Sequence, residues 1–310
     1  AVKMLPFDNK SEFNVVVNMP HGAALPITAN VTRQVADELL KIPEVVSVQS
    51  YVGTASPFNF NGLVRHYYLR QDPWYADLQV QLVDKGERKR TSHQIASQVR
   101  ESIHQIGRQA GARIAVVEMP PGPPVLQTLV AEIYGPDPEV RRQAAHDITA
   151  LFERTPGVVD VDNLMQAPYE IWRFEVDREK AVRHGVSVEV INRQLEMAMG
   201  GQKLGDIKVG RVLEPRYIVL QLPMALRSQF ARLGEIPVPS VGGQLIPLAE
   251  LGRFTRAPQD AVVYHKDLRP LEFVIGDVTG RLGAPIYGML GVEKEMAGYT
   301  APDGVKVDTH

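Results

Sequence analysis

The sequence predicts an α+β fold built from two β-α-β-β-α-β (ferredoxin-like) units, the second interrupted by a mixed α/β insertion. Three observations carry this. First, "KIPEVVSVQS" (Lys41–Ser50) and "RTPGVVDVDN" (Arg154–Asn163) share Pro-x-Val-Val-x-Val, so a unit of structure repeats. Second, each copy follows a segment of helical period and leads into the same order of elements. Third, the last half of the second copy is missing after Asn163 and resumes about a hundred residues later, which marks an insertion.

The elements follow in order. Phe13–Met19 alternates Phe13, Val15, Val17 and Met19 against Asn14, Val16 and Asn18, the period of a half-buried strand. Ile27–Ile42 places Val31, Val35, Leu39 and Leu40 on one helical face, and Pro43 stops it. A strand over 76–83, a helix over 92–107 and a strand over 113–119 complete the first unit. The Pro-rich "MPPGPPV" (Met119–Val125) is a stiff link. The second unit opens with a strand over 126–134. Its helix over 137–155 carries Pro138 in the first turn, where the missing N–H costs nothing. It resumes with a strand over 271–278, a helix over 284–297 and a strand over 305–308. Between them lie a strand over 171–176, a helix over 188–198 and the hairpin-like "DIKVGRVLEPRYIVLQL". Gly242-Gly243 marks a tight turn between two further strands. The boundaries read as 1–119, then 120–166 with 268–310, and an insert over 167–267.

Composition excludes several classes. The chain has 310 residues, a net charge of −2 and no cysteine, so it offers no basic surface for nucleic acid and no thiol chemistry. No apolar run approaches the roughly 18–20 residues of a membrane span, and no signal peptide is present. The chain reads as a piece of a larger protein. No dinucleotide, phosphate-loop, zinc-protease or nucleophile-elbow motif occurs, the eight histidines are scattered, and neither an enzyme nor a resident cofactor or metal is expected.

Helices on one sheet face leave the other to solvent, another sheet or a ligand. In the first unit that face carries Asn14, Val16, Asn18, Ser47, Gln49, Tyr51, Asp77, Gln79 and Gln81. "PFNFNGLVRHYYLR" (Pro57–Arg70) packs four aromatics into a segment with no helical or strand period.

"MLPFDNKSEFNVVVNMPHGA", "TLVAEIYGPD", "PGVVDVDN", "VDREKAVRHGVS" and "GGQLIPLAELGRF" together resemble, in order and over nearly the whole chain, the second large periplasmic loop of resistance-nodulation-division (RND) transporters, the AcrB-like multidrug efflux pumps. The resemblance implies that the repeats are porter subdomains and the insert a docking subdomain. It implies a parent that is a homotrimeric, proton-driven inner-membrane pump, with this part on the periplasmic side. The partners implied are small-molecule export substrates, a periplasmic adaptor protein and an outer-membrane channel. The proton-relay residues of the family lie outside this chain.

By position, Pro57–Arg70 corresponds to the loop that lines and gates the drug pocket. Phe58, Phe60, Tyr67 and Tyr68 are therefore candidate substrate contacts, or else a small satellite core beneath the loop. Aromatic faces hold varied apolar compounds by area and stacking, without fixed hydrogen-bond geometry. Gln49 and Gln79 stand where AcrB-like pumps carry Phe, which makes this pocket more polar. Tyr51, Asn14, Val117 and Met119 complete the candidate set. "FTRAPQDAVVY" is the candidate docking tip, with Thr255, Arg256, Pro258 and Gln259 facing a partner. Heavy-metal export is the alternative within the family. Its three-Met site would match Met19, with Tyr75 and Thr128 at the other two positions. A non-transport periplasmic binding module is the alternative outside it.

Overall fold

The computed structural model describes residues 9–59, 62–63, 65–118, 127–208, 210, 215–279 and 285–310. The chain is mixed α+β and divides into two compact units, residues 1–169 with 260–310, and residues 170–259.

The first unit begins β1 (Glu12–Asn18), α1 (Leu25–Leu39), β2 (Val45–Val52), β3 (Tyr75–Leu82), α2 (Ser92–Ala110) and β4 (Arg113–Val117). All pairings are antiparallel, in the order β2-β3-β1-β4. The alternation of β1 is realised: Phe13, Val15 and Val17 are buried against Val31, Val35 and Leu39 of α1 and Ile95 and Ile103 of α2. α2 starts where Thr91 and Gln94 form a reciprocal capping box, and stops at Gly111, whose φ of 68° suits glycine. Then come β5 (Leu129–Tyr134), α3 (Pro138–Arg154) and β6 (Val158–Asn163). Asp137 caps α3 by accepting from the Glu139 and Val140 N–H groups.

The second unit holds β7 (Glu170–Val176), α4 (Arg178–Arg183), α5 (Val188–Met199), β8 (Gln202–Ile207), β9 (Arg216–Leu220), α6 (Met224–Arg227), α7 (Phe230–Leu233), β10 (Pro237–Pro239), β11 (Leu245–Pro247), α8 (Leu248–Leu251) and β12 (Gly252–Pro258). Its core gathers Ile191, Val238, Leu248 and Leu251. Three two-stranded ribbons build it: β7 with β12, β8 with β9, and β10 with β11.

The chain re-enters the first unit through β13 (Tyr264–Lys266), β14 (Arg269–Val278), α9 (Pro285–Met296) and β15 (Lys306–Thr309). β14 inserts between β5 and β6, and β15 closes on the far side of β5. The order β6-β14-β5-β15 thus repeats that of the first sheet, with β13 added at the start of β14. The short β13 was not expected from the sequence, where 264–266 falls at the end of the insert. Leu129, Ile133, Ile148, Phe152, Val274 and Val292 form the second core. Among the described residues, no helix is long and apolar enough to cross a membrane.

Candidate functional site

The helix-free face of the first sheet presents ordered rows. Gln49 pairs with Gln79, Gln79 with Asn14, and Asn14 with Val117, so one row crosses all four strands. Tyr51 lies two residues on, in the row of Asp77, Val16 and Ala115, and its hydroxyl donates to Gln49 Oε1 at 3.1 Å. Residues on either end of the segment that follows β2 bond to this sheet. Ser56 Oγ donates to Asp77 at 3.3 Å. Arg70 anchors the far end: Nε donates to Asp77 at 2.7 Å, Nη1 to Asn18 Oδ1 at 2.7 Å, and Nη2 to the Val17 and Ala76 carbonyls. Asp77 is buried, so this pairing answers a charge that burial would otherwise penalise.

Of the described aromatics here, Phe58 is exposed and Tyr67 and Tyr68 are half-buried. Phe58 is 76% exposed, with its ring centroid 6.0 Å from that of Tyr68, and His66 meets Tyr68 edge-on. Tyr67 lies against the Arg70 guanidinium. Phe60 and Met119 fall outside the described residues.

A cleft of about 550 Å³ opens between the two repeats. Asn18, His21, Tyr75 and Arg113 line one wall, and Arg142, His146 and Asp162 the other. Asp162 ties the walls together, accepting from Asn18 Nδ2 at 2.8 Å and Arg113 Nη1 at 2.6 Å. His21 Nδ1 accepts the Ala167 N–H at 2.8 Å, which places the ring proton on Nε2, 3.3 Å from Tyr75 Oη. Burial lowers the His21 pKa against the pull of Asp162.

A second tie lies deeper. Asp160 has a φ of 52°, and its carboxylate accepts from Arg100 Nε at 3.0 Å, His104 Nε2 at 2.8 Å and the Val116 N–H at 3.3 Å. Asp277 accepts from Thr128 Oγ1 at 2.5 Å. Burial raises its pKa, opposed by the nearby Arg65. The repeat motif itself signalled these acids. Asp160 and Asp162 stand where the first copy has Ser47 and Gln49, so only the second copy sends carboxylates across to its neighbour.

The structure bears on three of the expected sets of residues. Asn14 and Val117 lie on the expected face but are 8% and 2% exposed, so neither presents a surface to a ligand here. Phe58, Tyr67, Tyr68, Gln49, Tyr51 and Gln79 do not line the cleft, whose residues come from strand ends and α3 instead. The first part of the expected docking tip, Phe254–Tyr264, is a strand: Thr255, Arg256 and Pro258 of β12 pair with Arg173, Trp172 and Glu170 of β7, and 259–263 follows with no regular structure. Arg256 covers the Trp172 ring at 5.0 Å. Pro258 is the last paired residue, where a missing N–H is tolerated. The paired strands β8 and β9 leave Leu204, Ile207, Tyr217 and Ile218 exposed.

The comparisons place this architecture. The family model described as "AcrB/AcrD/AcrF family" matches residues 2–285. Nickel and cobalt resistance protein CnrA of Cupriavidus metallidurans is 27% identical over 233 residues, 70% of this chain and 20% of that protein. Cobalt-zinc-cadmium resistance protein CzcA of the same organism is 25% identical over 163 residues, 51% of this chain and 15% of its own. Multidrug export protein AcrF of Escherichia coli is 23% identical over 262 residues, 79% of this chain and 23% of its own. The crystal structure of a heavy metal efflux pump superposes with a TM-score of 0.72 at 19% identity, over 99% of this chain and 31% of that one, a likeness of fold. The chain therefore spans a quarter or less of the sequence relatives' length. It belongs to the AcrB/AcrD/AcrF family of RND efflux transporters.

Proposed function

We propose that this chain is the second large periplasmic loop of a proton-driven inner-membrane efflux pump, and that the pump exports small organic compounds. In this reading the two β-α-β-β-α-β repeats are porter subdomains that carry part of the substrate path. Residues 170–259 are the docking subdomain, facing an outer-membrane channel and an adaptor protein in a homotrimeric parent. The β8–β9 hairpin, rather than Thr255–Gln259, is the docking element.

The observation that carries the substrate class is the donor set at the cleft. Its walls offer amide, phenol, imidazole and guanidinium groups, which suit organic molecules through hydrogen bonds and ring contacts. Phe58, exposed, and Tyr68, half-buried, add an aromatic pair beside Tyr67, and Gln49, Tyr51 and Gln79 a polar strip on the sheet.

Heavy-metal export is the second reading, favoured by what CnrA, CzcA and the structural neighbour are named for. The side chains favour it less. Met19 is buried in the first core. Tyr75 and Thr128, at the other two positions of a three-Met site, are oxygen donors bonded to His21 and Asp277. Soft cations select thioether and thiolate sulfur, and for the cobalt, nickel and zinc of the relatives' names, which imidazole and carboxylate suit, no group of three or more His, Cys, Asp or Glu that could hold a metal ion occurs among the described residues.

A susceptibility panel of organic toxicants and metal salts tests the proposal in a pump-deficient host carrying the full-length parent, adaptor and channel. Protection against organic compounds, weakened by Phe58→Ala/Tyr68→Ala, is expected. Protection against metal salts alone would overturn it.

A further inference from the structure

The cleft between the repeats has a surplus of hydrogen-bond donors that its own acceptors do not absorb. A guanidinium carries five N–H donors. Among the described residues, Arg113 donates one bond, to Asp162 Oδ1. Arg142 donates one, a 3.4 Å contact to Glu139, whose side chain is 81% exposed. Such an exposed pair holds its cation weakly. Of the two carboxylates in the lining, Glu139 is 81% exposed to solvent and takes only the contact from Arg142, and Asp162 is nearly spent. Asp162 Oδ1 already takes bonds from Arg113 and from the Asn163 N–H at 2.8 Å, and Oδ2 takes one from Asn18. His21 Nδ1 is occupied by the Ala167 N–H. Arg70, by contrast, spends four donors inside the protein and is an anchor rather than a contact.

The two under-used guanidinium groups come from opposite walls. Arg113 starts β4 in the first repeat and Arg142 sits on α3 in the second. His146, one turn on from Arg142, adds a further nitrogen on the same helix face. The rings of Tyr75 and Tyr264 supply apolar area along the same cleft.

We infer that the cleft selects organic anions, taking a carboxylate or sulfonate between Arg113 and Arg142 with its aromatic body against the tyrosines. Guanidinium forks match such oxygens bidentately, and charge-assisted bonds are about twice as strong as neutral ones. This rests on the reading of the cleft as a substrate site and adds the class of substrate.

The test uses the 310-residue chain and three probes of one shape, 2-naphthoate, 2-naphthylmethanol and 2-naphthylmethylammonium, in equilibrium dialysis. Naphthoate is expected to bind about tenfold tighter than the alcohol, one charge-assisted hydrogen bond's worth. The ammonium is expected to bind more weakly than the alcohol. Arg113→Gln/Arg142→Gln should bring naphthoate down to the alcohol's affinity. Arg142→Gln alone removes a 3.4 Å contact to the exposed Glu139 and part of the positive charge that faces the buried Glu272, and it should cost several-fold even if the double variant does not fold. Ammonium binding as tight as naphthoate, no binding of any probe, or naphthoate binding unmoved by Arg142→Gln would overturn the inference. The two readings fail separately. Cellular protection against cationic toxicants without anion preference in the chain sinks the anion site and leaves organic export standing. Anion binding that responds to Arg142→Gln, in a parent that protects against no organic compound, supports the site and sinks the export reading.

Discussion

His93 and His21 show how two like residues of one chain are set against each other. His93 Nδ1 lies 2.9 Å from Glu118, and that hydrogen bond raises its pKa above the ordinary 6.5. A raised value means the folded state holds the proton more firmly. The stability this contributes is complete below 6.5 and is lost as pH rises through the folded value. Burial lowers the His21 pKa, so its contribution is present above 6.5 and lost as pH falls. His93→Gln is therefore expected to cost more stability at about pH 5.5 than at about pH 8, and His21→Gln the reverse. Urea unfolding at both pH values checks the signs, and equal costs at both would contradict them. Neither pairing was legible in the sequence, where the eight histidines look scattered. Glu118 is 25 positions from His93, and the backbone N–H that fixes the His21 tautomer belongs to Ala167, 146 positions away. The acids of the second Val-Val-x-Val motif were visible as letters, but their partners were not.

Elements were far more legible than side-chain partners, because period and caps are local. The helix expected over 137–155 spans Pro138–Arg154, between an Asp cap and a Pro stop. The strands of period two fall within a few residues of their expected ends. The exception at this scale is instructive. Phe254–Tyr264 reads as a tip with Pro258 at its turn, but its start belongs to a strand, Gly252–Pro258, with β7 as partner. Between elements, Asp160 is the residue that fastens β6 to α2 and to the β4 edge. Its side chain is 1% exposed and that of Arg100 8%, so removing the carboxylate leaves a buried cation unpaired. Asp160→Ala is expected to cost about 3 kcal/mol or more in denaturant unfolding of the first unit. Asp160→Asn keeps a side chain that tolerates positive φ and should cost less. A loss below about 1 kcal/mol for Asp160→Ala would show that the tie contributes little beyond an exposed pair.

At the scale of the whole molecule, the sequence carried the repeat and its interruption, since a motif met twice and a unit left half-finished need no contact map. The second unit of the structure, 170–259, stands against an insert read as 167–267. The cleft was not legible. It is made where the end of β1, the start of β4, α3 and the second motif converge, and no single stretch of sequence announces that. On the reading proposed above, this convergence handles organic compounds rather than metal ions. The most direct measurement is proton flux in proteoliposomes containing the full-length parent under an imposed pH gradient, with organic anions, organic cations and Co²⁺, Ni²⁺, Zn²⁺ or Cu⁺ added in turn. The account expects organic compounds to stimulate flux, anions most, and Arg142→Gln to blunt the anion response. Flux stimulated by metal ions and by no organic compound would contradict it.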